Sequence, residues 1–384
     1  MIKQLFSIPL DDPLLWLWLL LAGLSFIFLL IQLSFFYRFY RKLPTYKKLN
    51  FKTDTDPVSV IICAKNEAEN LKRFLPAVLN QSYPEFEVIV VNDGSTDNTE
   101  EVLGELRNSY PNLYVTGIEG KPGYISGKKV AQTLGIKAAH HDQLIFTDAD
   151  CEPISPNWLR HMQSNFMQKT QIVLGYGGYK ARKGLLNKWI RIDTVYNAMQ
   201  YIGFAIKGLP YSAVGRNLAF RRSLFFANRG FASHLHIASG DDDLFVSETA
   251  NRYNTAIEID RESHTLSEAK RTWKQWFQQK RRHYTTSFSY KKSRKRILSL
   301  ELISREFFFL FIIGLLAFWK LVGYAIILLL IREIFFAIFF KLNMKRLREK
   351  NLLLLSLLYD MIWPVFAGIL VLRNKIAPKN PKWK

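Results

Sequence analysis

Two blocks of almost unbroken apolar sequence bracket a middle region in which short apolar runs alternate with amphipathic stretches. Residues 14–37 carry only Ser and Gln as polar interruptions, about the 20 residues a helix needs to cross a bilayer. Arg38, Arg41, Lys42, Lys47 and Lys48 follow at once. The positive-inside rule then puts the N-terminus outside and the next segment in the cytoplasm. Residues 307–340 are too long for one crossing and are split by Lys320, so two crossings fit, with basic clusters on both flanks. Arg332 and Glu333 fall inside the second. Adjacent helical positions are expected to point apart, and an intramembrane charge serves either function or helix packing. Residues 352–372 form a last apolar segment, broken by Asp360 and Pro364. A full crossing would leave the basic tail, residues 373–384, outside and against the charge rule; a re-entrant path would not. The pattern predicts four membrane segments, with the path of the last left open.

The middle region alternates strand and helix. Val58-Ser-Val-Ile-Ile-Cys63 reads as a buried strand, and Leu71, Leu75, Val78 and Leu79 have helical spacing over 67–79. A second strand, Val88-Ile-Val-Val-Asn92, stops at Asp93. A helix over 97–107, a weak strand over 113–116, a helix over 127–139 and a strand over 144–147 follow. Such alternation predicts an α/β domain with a mostly parallel sheet and helices on both faces. The expected organisation is an N-terminal membrane helix (1–37), a basic cytoplasmic linker (38–56), the α/β domain (57–265), an amphipathic interfacial region (266–300), a membrane region of about three segments (301–372) and a basic tail (373–384).

Charge and cysteine content narrow the picture. The net charge of +21 calls for an anionic partner. The basic residues cluster beside apolar segments, where anionic lipid headgroups account for them, and no nucleic-acid-binding pattern occurs. Cys63 and Cys151, the only two cysteines, make neither a disulfide framework nor a zinc site. The middle region fits a reducing, cytosolic environment.

The candidate chemistry is acidic. Glu67 follows the first strand, Asp93 ends the second, Asp148-Ala-Asp150 follows another apolar strand, and Gly240-Asp-Asp-Asp243 comes later. In open α/β sheets ligands bind past the carboxyl ends of the strands. An Asp-x-Asp there offers the oxygen ligands that Mg2+ and similar hard cations take together with phosphate oxygens. An acidic surface turn would account for one such cluster but poorly for the set. Asp243 is either a third acidic group or a helix cap. Lys128 lies at a helix start, where free N–H groups already favour anions; a solvated surface lysine is the alternative. No Gly-x-x-x-x-Gly-Lys-Ser/Thr sequence occurs, which argues against a P-loop.

Asn66-Glu67, Asn80-Gln-Ser-Tyr-Pro84, Val91-Asn-Asp-Gly-Ser-Thr-Asp97, Gly127-Lys128, Thr147-Asp-Ala-Asp150, Gly240-Asp-Asp242 and Gln279-Lys-Arg-Arg-His283 occur in this order. The ordered set resembles family 2 glycosyltransferases, and more narrowly the membrane-embedded branch that includes cellulose, chitin, hyaluronan and poly-N-acetylglucosamine synthases. The resemblance covers residues 57–290. It implies a GT-A fold and a nucleotide-diphosphate sugar donor, most often a UDP-sugar. Glu67 and Asp93 then match nucleoside-binding positions, and Lys128 a nucleotide contact. Asp148 and Asp150 match the ligands of Mg2+ or Mn2+ on the donor diphosphate. Asp242 matches the general base of an inverting transfer, with Asp241 in support. Gln279 and Arg282 match diphosphate contacts. Asn217, in Gly215-Arg-Asn-Leu-Ala-Phe-Arg-Arg222, and His283 match the acceptor side. His283 stands where the family carries tryptophan, a departure that bears on processive synthesis.

The resulting expectation is a multi-pass protein of a bacterial inner membrane with its catalytic domain in the cytoplasm. It would move a sugar to a lipid-linked or cell-surface glycan acceptor and contact no nucleic acid; the sequence points to no protein partner. About four membrane segments are few for a polymer channel, which favours short transfer over a processive polysaccharide synthase. An inactive, membrane-tethered nucleotide-sugar binding module is a further alternative, against which the full set of carboxylates argues.

Overall fold

A computed structural model of the chain describes residues 13–48, 53–118, 127–237 and 239–376. Ser126 and the last eight residues of the basic tail lie outside the described residues.

The main sheet has seven strands. β1 (Val58–Ala64), β2 (Phe86–Asn92), β3 (Leu113–Gly117) and β4 (Gln143–Phe146) come first in the chain. β5 (Cys151–Pro153), β6 (Ile172–Leu174), β7 (Gly177–Tyr179), β8 (Leu218–Arg221), β9 (Thr255–Ile257) and β10 (Thr265–Ser267) follow. The sheet order is β3-β2-β1-β4-β8-β6-β9, and a second, three-stranded sheet has the order β5-β10-β7. The first four strands are mutually parallel, β8 is antiparallel to β4 and β6, and β6 and β9 are parallel. The sheet is therefore mixed, with a parallel half as expected and one reversed strand. The expected boundary at residue 265 falls inside β10, which the small sheet carries to Ser267.

Alternation along the strands sends successive side chains to opposite faces. Val58, Val60, Ile62 and Ala64 of β1 pack with Leu71, Leu75 and Val78 of α2 (Ala68–Leu79) and Leu103 of α3 (Thr99–Ser109). Ile61, Ile89 and Val91 face the other way, onto Ala131 and Ile136 of α4 (Lys128–Ala138). α5 (Trp158–Gln163) adds the fully buried Trp158 to the first face. α6 (Leu185–Ile206) is buried on nearly every side. It lies between the sheet and the apolar helices, and Gly203 allows the contact: a Cβ there would sit 2.6 Å from the carbonyl oxygen of Phe39. α7 (Arg222–Ala227) and α8 (Asp243–Thr249) complete the domain.

α9 (Trp273–Tyr284) follows, then α10 (Lys292–Leu316), α11 (Val322–Arg346) and α12 (Leu353–Ile376). α10 and α11 pack on α1 (Pro13–Phe35), α12 packs on α10 and α11, and α9 packs on α12. Three helical stretches among the described residues are long and apolar enough to cross a membrane: Trp16–Thr45, Trp319–Arg346 and Leu353–Asn374. α10 is not one of them, because Glu301, Arg305 and Glu306 interrupt its apolar half. It nevertheless runs antiparallel along α1, with Phe307 stacked on Phe28 at 5.9 Å and Trp18 on Phe318 at 4.9 Å.

Charges inside this bundle are spent on one another. The Asp360 carboxylate binds Arg305 Nη1 at 3.1 Å and also Arg332. Arg332 Nη2 donates to Gln32 Oε1 at 3.3 Å. Contrary to expectation for adjacent positions, Arg332 Nη1 also reaches Glu333 Oε1 at 2.7 Å, because both side chains are long enough to bend back. Arg332 is fully buried, so its role is helix packing. Removing one partner of such a cluster leaves a buried charge uncompensated, at a cost of about 3–5 kcal/mol. Asp360→Ala should therefore unfold well below wild type in detergent, whereas Leu354→Ala, at a residue 84% exposed, should not; equal melting of the two variants would contradict this packing role.

Candidate active site

The parallel register brings the acidic strand ends together. Ala64 at the end of β1 pairs with Asn92, and Ile61 with Phe146. Glu67, Asp93 and Asp148 therefore leave the same edge of the sheet. Beyond that edge lies a cavity of about 1040 Å³. Glu67, Lys128, Asp148 and Asp150 line one side, Arg216, Asp241 and Asp242 another, and Gln279, Arg282 and His283 of α9 a third.

Lys128 sits at the centre. It is the first residue of α4, and its Nζ lies 2.9 Å from Asp148 Oδ1 and 3.0 Å from Asp241 Oδ2. Burial works against its charge, but Asp148, Asp241 and Asp242 hold it protonated, well above the usual lysine range. Burial likewise pushes Asp148 up, yet Lys128, Arg216 and Arg282 bring it below the usual carboxylate range. Asp150 goes the opposite way, raised by burial and by the charge of Asp148.

Asp148, Asp150 and Cys151 each offer a ligand atom, all within 4.8 Å of one another. The two carboxylates suit a hard divalent cation. The Cys151 thiol does not: burial and the neighbouring Asp150 raise its pKa far above the usual thiol range, and hard cations prefer oxygen. The residues present thus fit a hard divalent cation such as Mg2+ or Mn2+ on Asp148 and Asp150, with Cys151 buried behind them, 3.3 Å from Ser267 Oγ.

Asp242 caps α8, its carboxylate accepting from the Asp243 N–H at 2.8 Å and the Gly215 N–H at 2.6 Å. Burial and the adjacent Asp241 and Asp243 raise its pKa to about 7. Asp243 also lines the cavity, but its carboxylate accepts from Tyr290 at 2.7 Å and from Thr286, tying α8 to the segment after α9. The cap of α8 is Asp242, and Asp243 is a third acid of the cavity that also clasps the two segments.

α9 is capped by Thr272, whose hydroxyl accepts from the Gln275 N–H at 3.2 Å. It roofs the cavity because its apolar face is pinned to α12. Trp276 stacks on Phe366 at 5.5 Å, and Tyr284 meets Trp363 edge-on. Between these anchors, Gln279 lies beside Tyr179, and Arg282 acts on Asp148. Enclosure by the cavity, then Arg282 and Lys280, hold the His283 imidazole neutral, well below the usual histidine range.

Residues 59–226, which contain this edge of the sheet and most of the acidic wall, match the Glycosyl transferase family 2 model. Residues 59–226 form a family 2 glycosyltransferase domain. The chain is 41% identical over 110 residues to glycosyltransferase AglE of Haloferax volcanii, covering 28% of this chain and 34% of that protein. It is 28% identical over 255 residues to the probable glycosyltransferase YdaM of Bacillus subtilis, covering 64% and 58%. A poly-beta-1,6-N-acetyl-D-glucosamine synthase of Staphylococcus epidermidis is 32% identical over 120 residues, covering 30% of this chain and 28% of that protein. The chain thus spans between about a quarter and three fifths of the curated relatives it matches. A solved mannosyltransferase, PcManGT from Pyrobaculum calidifontis in complex with GDP-Man and Mn2+, superposes with a TM-score of 0.61 at 17% identity, covering 92% of this chain and 99% of that one. That likeness is one of fold.

Nine of the sequence-expected residues line the cavity: Glu67, Lys128, Asp148 and Asp150 within the matched segment, and Asp241, Asp242, Gln279, Arg282 and His283 beyond it. Asp93 is buried behind it, its carboxylate 3.4 Å from Nζ of Lys65, which does line the wall. Asn217 is a correction. It is fully buried, its amide donating to the carbonyls of Tyr176 and Ser263 at 2.8 Å and accepting from Trp158 Nε1 at 3.0 Å. Its polar groups are consumed by the scaffold, so it does not face an acceptor. Its neighbour Arg216 takes the cavity side, donating to the Gly177 carbonyl at 2.8 Å and to Tyr179 at 2.9 Å. Adjacent residues face apart, and choosing Asn217 missed the cation one position earlier.

Asp150→Asn should weaken Mn2+ binding at least tenfold in the presence of a nucleoside diphosphate, read by loss of the free-ion paramagnetic signal during titration. Unchanged Mn2+ affinity would remove the metal assignment.

Proposed function

We propose that the chain is a membrane-bound, inverting glycosyltransferase moving a sugar from a nucleotide-diphosphate sugar to a lipid-linked or cell-surface glycan acceptor. The supporting observation is the single cavity wall that joins Lys128, Asp148 and Asp150 to Asp242, under Gln279 and Arg282. Relatives named as glycosyltransferases and a like-folded protein solved with GDP-Man and Mn2+ agree with it.

In this reading Glu67 serves the nucleoside from the cavity wall, and the buried Asp93 acts through Lys65, which lines that wall. The diphosphate lies against Lys128, Gln279 and Arg282, guanidinium being suited to paired phosphate contacts. Asp148 and Asp150 would hold a divalent cation, which when bound would supply Lewis acidity to the diphosphate. The acceptor hydroxyl forms its bond to the anomeric carbon as the bond to the diphosphate breaks. Its proton goes to Asp242, and the diphosphate leaves with the electron pair. Two backbone N–H groups orient Asp242, and its pKa of about 7 matches what a general base at neutral pH requires. Three helices long and apolar enough to cross a membrane among the described residues are few for a polymer channel, which favours short transfer over export of a polymer. Product length from a single nucleotide sugar distinguishes the two.

Nucleotide release from membranes across a panel of nucleotide sugars tests the reading. Because its pKa is raised, Asp242 is protonated below pH 7, and kcat/KM should fall tenfold per pH unit below that value and level off above it. Asp242→Asn should bind the donor within a few-fold of wild type and lose turnover by about 10²–10⁴-fold. Unaltered turnover would refute the base.

A further inference from the structure

The cavity that holds Asp148 and Asp242 does not end at the catalytic domain. Its far side is walled by Lys295, Leu298 and Leu302 of α10 and by Gly368 and Leu372 of α12. Two large apolar residues of that wall, Ile303 and Leu372, are 45% and 59% exposed. They mark an opening. It lies within an apolar belt, since Phe307, Leu310 and Ile313 of α10 and Val365 and Ile369 of α12 are exposed beside it. A belt of this kind is matched by lipid chains and poorly by water.

The course of α12 shapes the opening. Asp360 meets Arg305 of α10. Gly368, about 12 Å further along the helix, lies against the adjacent residue of α10: a Cβ there would stand 3.3 Å from Glu306 Oε1. α12 therefore crosses α10 instead of running beside it. Its last turns return to α9, where Asn374 Oδ1 accepts from Arg281 Nε at 3.3 Å. The crossing leaves a wedge between residues 295–303 of α10 and 368–372 of α12. The first turns of α10 carry Lys292, Arg294, Lys295 and Arg296, the charge that lipid phosphates attract. The same path keeps the start of the basic tail beside α9, on the catalytic side, where the charge rule wants it.

We propose that the acceptor is a saccharide linked to a lipid through phosphate, entering sideways from the membrane between α10 and α12. Its apolar chain rests against Ile303 and Leu372, its phosphate lies near Lys295, and its sugar hydroxyl reaches Asp242. This rests on the glycosyl-transfer reading of the same cavity and names the acceptor class. The hydroxyl proton passes to Asp242, and the new bond to the anomeric carbon replaces the one to the departing diphosphate.

The test uses the full chain in nanodiscs, supplied with radiolabelled nucleotide sugars and a total lipid extract of the expressing cells. Ile303→Trp and Gly368→Leu narrow the opening, and Leu354→Trp is the control. Wild type and control should move label into the organic phase, and mild acid, which cleaves sugar–phosphate linkages, should return it to water. The two narrowing variants should lose at least tenfold in lipid labelling while acceptor-free nucleotide release stays within twofold of wild type. Full lipid labelling in both variants, label found only in water-soluble glycan, or lipid label stable to mild acid would each overturn the proposal. Absence of nucleotide release from every donor would instead overturn the transferase reading, and this one with it.

Discussion

A single ammonium ties together the two halves of the catalytic wall. Lys128 bridges Asp148, at the end of β4, and Asp241, from the loop before α8. Carboxylates gathered this closely repel one another, and burial sharpens the repulsion. The cavity keeps its shape because Lys128 is held protonated between them. It also leaves the carboxylates in unlike states: Asp148 is pushed down, while Asp150 and Asp242 are pushed up. One wall thus offers an ionised acid for a cation and a second acid tuned to accept a proton near neutrality. Such division of labour between neighbouring acids follows from environment rather than residue type.

The roof of that wall depends on the apolar helices. Lys280 of α9 pairs with Asp193 of α6, and Asp193 accepts from the Tyr359 hydroxyl of α12 at 2.8 Å. Arg191 and Tyr176 bind Glu349, in the turn before α12. Gln279 and Arg282 therefore take their positions from a helix that also bounds the far side of the cavity. The carboxylate wall and the apolar bundle are coupled: loosening α12 would move α9 over the cavity.

Much of this was legible in the sequence where periodicity has a physical cause. Over residues 58–147 β1, β2 and β4 bury both faces, the edge strand β3 does not, and each helix buries only one, so apolar runs and helical spacing read directly as parallel α/β units. The carboxylates at the strand ends were legible for the same reason, since the strands end where the site begins. After residue 150 the strands shorten to three or four residues, and the reversed β8 leaves no mark in composition. α6 is enclosed by sheet and apolar helices together, so it has no polar stripe to betray its period. The Asn217 error came from a short 3₁₀ turn, where alternation gives no guide to which neighbour faces the cavity. The path of α12 was undecidable from hydropathy, because crossing and interfacial helices share a composition. Contacts with Arg305, Glu306 and Arg281 define it.

The central claim is that the carboxylate wall centred on Lys128 receives a nucleoside diphosphate. Calorimetric titration of UDP and GDP into the full chain with Mn2+, for wild type and Lys128→Met, examines it most directly. At least one diphosphate should bind wild type and bind the variant tenfold or more weakly, about 1.4 kcal/mol. Equal or tighter binding by Lys128→Met would contradict the account.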